Sequence, residues 1–156
     1  MIDHGVIVVP TDFSEQSSEA LRRACVLAKR FDAEVHLLHV IDPSLYFETD
    51  MVSISPLDEI SKAQHEGATK RLAEQAGSVD VSITTHLEDA VSDPARAICD
   101  IAESLSADLI VVGRHGRQGV LEHMLLGSTA ERVVRHASCS VLVAMPHGLI
   151  GDVQAL

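Results

Sequence analysis

Short apolar runs alternate with longer stretches of helical period along this chain. Val6 to Val9 is β-branched and stopped by Pro10, Glu34 to Ile41 ends apolar before Asp42 and Pro43, Leu109 to Val112 is closed by Gly113, and Val141 to Ala144 precedes Pro146. Unbroken runs of this length mark strands covered on both faces, as in a parallel sheet flanked by helices. One segment differs. Val79, Val81, Ile83 and Thr85 alternate with Asp80, Ser82 and Thr84, which predicts a half-exposed strand at a sheet edge, followed by an acidic loop from His86 to Ser92.

The stretches between carry helix punctuation. Ser14 is placed to cap a first helix, and Ala20, Leu21, Ala24, Cys25, Leu27, Ala28 and Phe31 give it one apolar face with Arg22, Arg23, Lys29 and Arg30 outside. Leu57 to Ala76 reads as the second helix, stopped by Gly77. Asp93 and Pro94 open a third as N-cap and first helical residue, and a fourth begins near Ser128 and continues to Ala137. Asp42 to Pro56 follows neither period, and a connection this long in a compact domain is usually functional. Regular alternation of this kind predicts an α/β sandwich, with a parallel sheet between two helical layers and right-handed crossovers. In the strand order 3-2-1-4-5 the ends of strands one and four stand side by side at the winding reversal, where ligands of such sheets sit.

The piece from Leu109 to Thr129, LIVVGRHGRQGVLEHMLLGST, has the layout of strand, glycine-rich loop and helix start. Glycine permits positive φ and close approach of backbone to a ligand, and the free N–H groups of a helix start point at negative charge. Ser128 and Thr129 add hydroxyl donors, so Gly113, Gly116, Gly127, Ser128 and Thr129 read as a phosphate cradle. Val112 leads into it, and Arg114 and His115 add positive charge beside it. Asp12, at the end of the first strand, would face the same crevice.

Composition limits the alternatives. A chain of 156 residues suits one domain, here 1–146, with 147–156 as a C-terminal tail. A formal net charge of −11 argues against nucleic acid as a partner, since backbone phosphates demand a basic face. No apolar run reaches membrane-spanning length and the first residues do not resemble a signal peptide, so a cytoplasmic protein is expected. Cys25, Cys99 and Cys139 lie in apolar patterns without C-x-x-C spacing and read as reduced, buried thiols. No pair among the nine histidines has convincing metal-ligand spacing, and they read as structural or surface groups. G-x-S-x-G and the G-x-x-x-x-G-K-[ST] phosphate loop are both missing, which speaks against a hydrolase elbow and against strong NTPase catalysis.

Taken together, VVPTDFSEQSSEAL at Val8 to Leu21, LLHVID at Leu37 to Asp42, DPARAI at Asp93 to Ile98, DLIVVGRHG at Asp108 to Gly116 and LLGSTAERVVRHASCSVLV at Leu125 to Val143 resemble the universal stress protein family. The resemblance implies a Rossmann-like, adenine nucleotide alpha hydrolase-like domain with a five-stranded parallel sheet in the order 3-2-1-4-5. It also implies ATP (or ADP or AMP) as ligand, at most slow hydrolysis, and a homodimer through the last strand, Ser140 to Ala144. By the same resemblance Val40 supplies a backbone contact to adenine, Pro10, Thr11 and Asp12 form a corner of the site, and Asp12 meets the ribose or a magnesium ion. Ten residues, Arg117 to Leu126, separate Gly116 from Gly127 where the family pattern has nine. Ser92 and Ser140 stand where many members have glycine and proline. The function expected is therefore that of an ATP-binding stress-response or regulatory protein working as a nucleotide-dependent dimeric switch with an unknown protein partner. The alternative is a dimeric protein-interaction module that holds no nucleotide.

Overall fold

The computed structural model describes residues 4–42, 44, 57–115 and 126–145. Gly116, nearly all of the irregular connection and the C-terminal tail lie outside the described residues. The elements run β1 (Val6–Pro10), α1 (Glu15–Phe31), β2 (Glu34–Ile41), α2 (Leu57–Gly77), β3 (Ile83–Asp89), α3 (Pro94–Ser104), β4 (Leu109–Gly113), α4 (Ser128–His136) and β5 (Ser140–Ala144). The five strands form one parallel sheet in the order β3-β2-β1-β4-β5, as expected.

Alternation along the central strands divides the core in two. Ile7, Val9, Val35, Leu37 and Val111 pack with Leu21, Ala24 and Ala28 of α1 and Leu72 of α2 on one face. Val8, Leu38, Ile110 and Val112 pack with Ile98 and Ala102 of α3 and Val133 of α4 on the other. Each fully buried Leu, Ile or Val contributes about 1.5–3 kcal/mol by leaving water, so the aliphatic core needs no tryptophan. Asp108 pins the entry of β4 to that of β1: its Oδ2 accepts from Val6 N at 2.8 Å, and its own N–H donates to Val6 O at 2.9 Å.

The β1–β4 ladder is short. Its register covers only Ile7↔Leu109 and Val8↔Ile110, whereas β4 and β5 pair along their whole length. Pro10 has no N–H to donate across, so β1 and β4 part at their C-terminal ends and the crevice opens there.

Three local expectations are corrected. The edge strand starts at Ile83 and runs to Asp89, so His86 to Asp89 belong to the sheet, while Val79 and Val81 pack against the core from the turn before it. The cause is register: β2 offers partners from Val35 to Ile41, and β3 fills them from Ile83 to Asp89. Arg23 is buried, not outside, with Nε 3.3 Å from the Glu19 carboxylate and its aliphatic stem available to pack along the core. Phe31, assigned to the apolar face, is 72% exposed at the last turn of α1. His36 is buried, one of the histidines with a structural place. Cys25 and Cys99 are buried as expected and Cys139 is half-buried; burial pushes the Cys25 thiol up to about 11.

Candidate functional site

A cavity of about 700 Å³ occupies the crevice at the C-terminal ends of β1, β2 and β4, a size suited to a small organic ligand. From β1 and its continuation come Pro10, Thr11, Asp12 and Phe13; from β2, His39, Val40, Ile41 and Asp42. β4 and the residues after it supply Val112, Gly113 and His115, and the start of α4 supplies Gly127, Ser128, Thr129 and Ala130. The structure therefore gathers the residues singled out in the sequence into one cavity, apart from Arg114 and Gly116. Arg114 stands beside it, its carbonyl accepting from Gly127 N at 2.8 Å, and Gly116 lies outside the described residues.

The β1–α1 corner is built by local hydrogen bonds. Asp12 Oδ1 accepts from the N–H of Ser14 at 3.0 Å and from its hydroxyl, while Ser14 Oγ caps α1 by accepting from Ser17 N at 3.2 Å. Thr11, buried, accepts from Phe13 N at 3.0 Å and donates to Gln75 Oε1 at 2.7 Å, which ties the corner to α2. Asp12 thus has a structural task in addition to its place in the cavity wall. Phe13 takes a positive φ of 64°, a costly conformation for a bulky residue and one found mostly where the surroundings enforce it. Its ring is held between His39, 4.5 Å away between centroids, and the Arg71 guanidinium, 4.2 Å from its centroid. His39 Nδ1 donates to Thr11 O at 2.7 Å, which sets the ring's tautomer.

The opposite wall attracts anions. Gly127 is the N-cap of α4 and offers no side chain to the first N–H groups, so those of Ser128 and Thr129 face the cavity mouth without a capping oxygen. Beside them, His115 Nδ1 is sealed from solvent with no hydrogen-bond partner among the described residues. A buried polar atom left in this way costs free energy unless a ligand or water meets it.

The positive φ expected of the cradle glycines is not found at the described ones. No glycine among the described residues has a positive φ, and Gly127 sits at φ −67° and ψ 153°, open to any residue. Gly113 is small because α1 approaches it: a Cβ there would lie 3.0 Å from the backbone carbonyl of Gln16. Asp12 and Asp42 are the two carboxylates of the cavity lining. Among the described residues no group of three or more His, Cys, Asp or Glu is placed to hold a metal ion.

Sequence reasoning missed His39 and the wall contributed by α2, which consists of Gln64, Gly67, Ala68 and Arg71. Their spacing of i, i+3, i+4 and i+7 places them on one helix face, a signal that was present but belonged to no apolar stripe. His65, one residue along, fixes this helix to the end of β3: Nδ1 donates to Ser61 O at 2.7 Å and Nε2 donates to Asp89 Oδ2 at 2.9 Å.

A doubly wound parallel sheet with its cavity at the winding reversal defines a Rossmann-like α/β protein. Comparison with known proteins narrows this. Residues 4–144 match the model of the universal stress protein family. A universal stress protein of Methanocaldococcus jannaschii is 42% identical over 138 residues, covering 88% of this chain and 79% of that protein. The solved structure of hypothetical protein MJ0577 superposes with a TM-score of 0.73 at 28% identity, covering 93% of this chain and 98% of that one. The chain belongs to the universal stress protein family. Two more distant members of similar fold were solved with small ligands: one with cAMP, at 23% identity and a TM-score of 0.67, and one from Archaeoglobus fulgidus with dAMP, at 20% and 0.60. They cover 92% and 93% of this chain and 99% and 100% of their own. No described helix is long and apolar enough to cross a membrane.

Proposed function

We propose that this protein binds an adenine nucleotide, ATP in the first instance, and works as a cytoplasmic, dimeric stress-response switch whose occupancy alters the surface it offers a partner. The carrying observation is the uncapped start of α4, which lines the same cavity as Asp12, Val40 and His115. Phosphates would accept from the N–H groups and hydroxyls of Ser128 and Thr129, with the Arg114 charge beside the cavity. Asp12, in the cavity wall, would accept from a ribose hydroxyl, and the end of β2 at Val40 would meet the base. Cyclic AMP and dAMP in two relatives of similar fold lend support to an adenylate in this crevice.

Magnesium fits only as a passenger of the phosphates. Asp12 already gives Oδ1 to Ser14, and among the described residues no group of three or more His, Cys, Asp or Glu is placed to hold a metal ion. The ion would keep phosphate oxygens and waters as its main ligands. Hydrolysis would be slow, since the sequence lacks the G-x-x-x-x-G-K-[ST] phosphate loop and its lysine. Dimerisation is proposed through β5, whose Val141, Leu142 and Val143 remain half-exposed at the sheet edge.

Denaturing freshly purified protein and identifying the released small molecules tests this reading, followed by calorimetric titration of the emptied protein with Mg-ATP. Co-purified adenylate or saturable micromolar binding is expected. Absence of both overturns the proposal and leaves the dimeric interaction module as the function to pursue.

A further inference from the structure

Gly67 has no architectural reason to be glycine. It sits in mid-helix, where glycine is unfavourable by about 0.5–1 kcal/mol relative to alanine. Its φ is not positive, and a Cβ there would meet nothing within 4 Å. Gly113, by contrast, is explained by the closeness of Gln16. Gly67 also lines the cavity, next to Ala68, so α2 shows the cavity a stretch with almost no side chain. One turn before stands Gln64, an amide that both donates and accepts. One turn after stands Arg71, held over the strained Phe13.

We propose that this face of α2 is the nucleobase wall of the cavity, taking the flat face of a purine against Gly67 and Ala68, with Gln64 reading its edge and Arg71 closing the end. The inference rests on the nucleotide reading above and adds to it a specificity element on a helix remote in sequence from the glycine loop. Three features converge on it. Bare backbone allows a planar ring to approach closely. A glutamine amide matches the paired donor and acceptor on the N6 and N7 edge of adenine and mismatches guanine. The Arg71–Phe13 stack gives the ring a rigid, cationic border, with the Phe13 backbone strain as the mark of a conformation imposed by its surroundings. The wall faces β2, whereas the anion-attracting start of α4 belongs to the other helical layer, so base and phosphates occupy opposite ends.

The test compares wild type, Gly67→Leu and Gln64→Ala by calorimetry with Mg-ATP, Mg-GTP and inorganic tripolyphosphate. Leucine at 67 improves helix propensity and its Cβ meets nothing within 4 Å, so thermal stability should hold or rise. Gly67→Leu is expected to weaken ATP at least about tenfold, the order of one blocked contact surface, while tripolyphosphate is unaffected. Gln64→Ala is expected to shrink the preference for ATP over GTP. Wild-type ATP affinity in Gly67→Leu overturns the wall and leaves nucleotide binding intact. Equal losses for ATP and tripolyphosphate also overturn it, by placing the wall at the phosphates. Failure of the wild type itself to bind ATP overturns the nucleotide reading and the wall with it.

Discussion

Gly113 and Gln16 touch backbone to backbone, with the glycine at the end of β4 lying against the first turn of α1 so closely that a Cβ would stand 3.0 Å from the Gln16 carbonyl carbon and oxygen. Neither partner can yield easily, because Gly113 is paired to Ala144 in the sheet and Gln16 lies between capped residues of α1. Gly113→Ala should therefore lower stability by about 1–3 kcal/mol, the usual cost of overpacking, measured by chemical denaturation. A glycine needed solely for ligand approach would instead leave the denaturation midpoint unchanged.

That contact shows where sequence reasoning stops. The strands of the sheet and the caps Ser14 and Asp93 were legible because apolar period, β-branching and capping chemistry are local signals, whereas the strand order came with the family resemblance. The site was legible where motif and local geometry coincide, at Asp12, His115 and Gly127 to Thr129. Gly113 lines the cavity as expected, but the closeness of Gln16 was not legible, since that neighbour is 97 positions away in the chain, as the two residue numbers show. Likewise Arg71 and His39 enter the cavity only because Phe13 brings together α2 and β2. No period in the sequence encodes such a stack. The end of β3 at Asp89 was set by its partner strand and not by its own composition.

The absence of a cap on α4 separates stability from binding. Gly127 has an extended conformation that aspartate readily adopts, and an aspartate there would accept from the N–H of Thr129 or Ala130. Gly127→Asp should hold stability level or raise it by a few tenths of a kcal/mol, the difference between the two residues as N-caps. The same carboxylate would sit where phosphate belongs. Mg-ATP affinity should therefore fall at least about tenfold, or 1.4 kcal/mol, and a calorimetric titration showing undiminished affinity would remove the phosphates from this helix start.

Asp93 joins two helices of one layer. Its Oδ1 accepts from Ala95 N at 3.1 Å as the cap of α3 and lies 3.2 Å from Arg132 of α4. Asp93→Ala should cost about 1 kcal/mol, mostly through the lost cap. In a double-mutant cycle with Arg132→Ala, the coupling should stay under about 1 kcal/mol, as for other half-exposed pairs. A larger coupling would make the ion pair, rather than the cap, the main link.

Two histidines should tilt the pH profile of stability in opposite directions. His65 donates from both ring nitrogens, to Ser61 O and to Asp89, an arrangement only the imidazolium can satisfy, and its pKa is raised first by the backbone bond and then by the carboxylate. Its contribution is complete below about pH 6.5, the unfolded value, and is lost as pH rises through the folded value. His86 is the reverse case. Burial and the facing His36, whose Nδ1 is 2.9 Å from its Nε2, lower its pKa, and Glu88 on its own strand only partly opposes them. Stability is whole above about pH 6.5 and declines as pH falls through the depressed folded value, because the unfolded chain binds the proton more readily. His86→Gln should therefore flatten the acid side of the profile, and His65→Gln the side above neutrality. Denaturation midpoints collected between about pH 5 and pH 8.5 check both slopes, a window that brackets the ordinary histidine value. If His86→Gln leaves the acid slope as steep as in the wild type, the His36–His86 pair is not where the folded chain resists protonation.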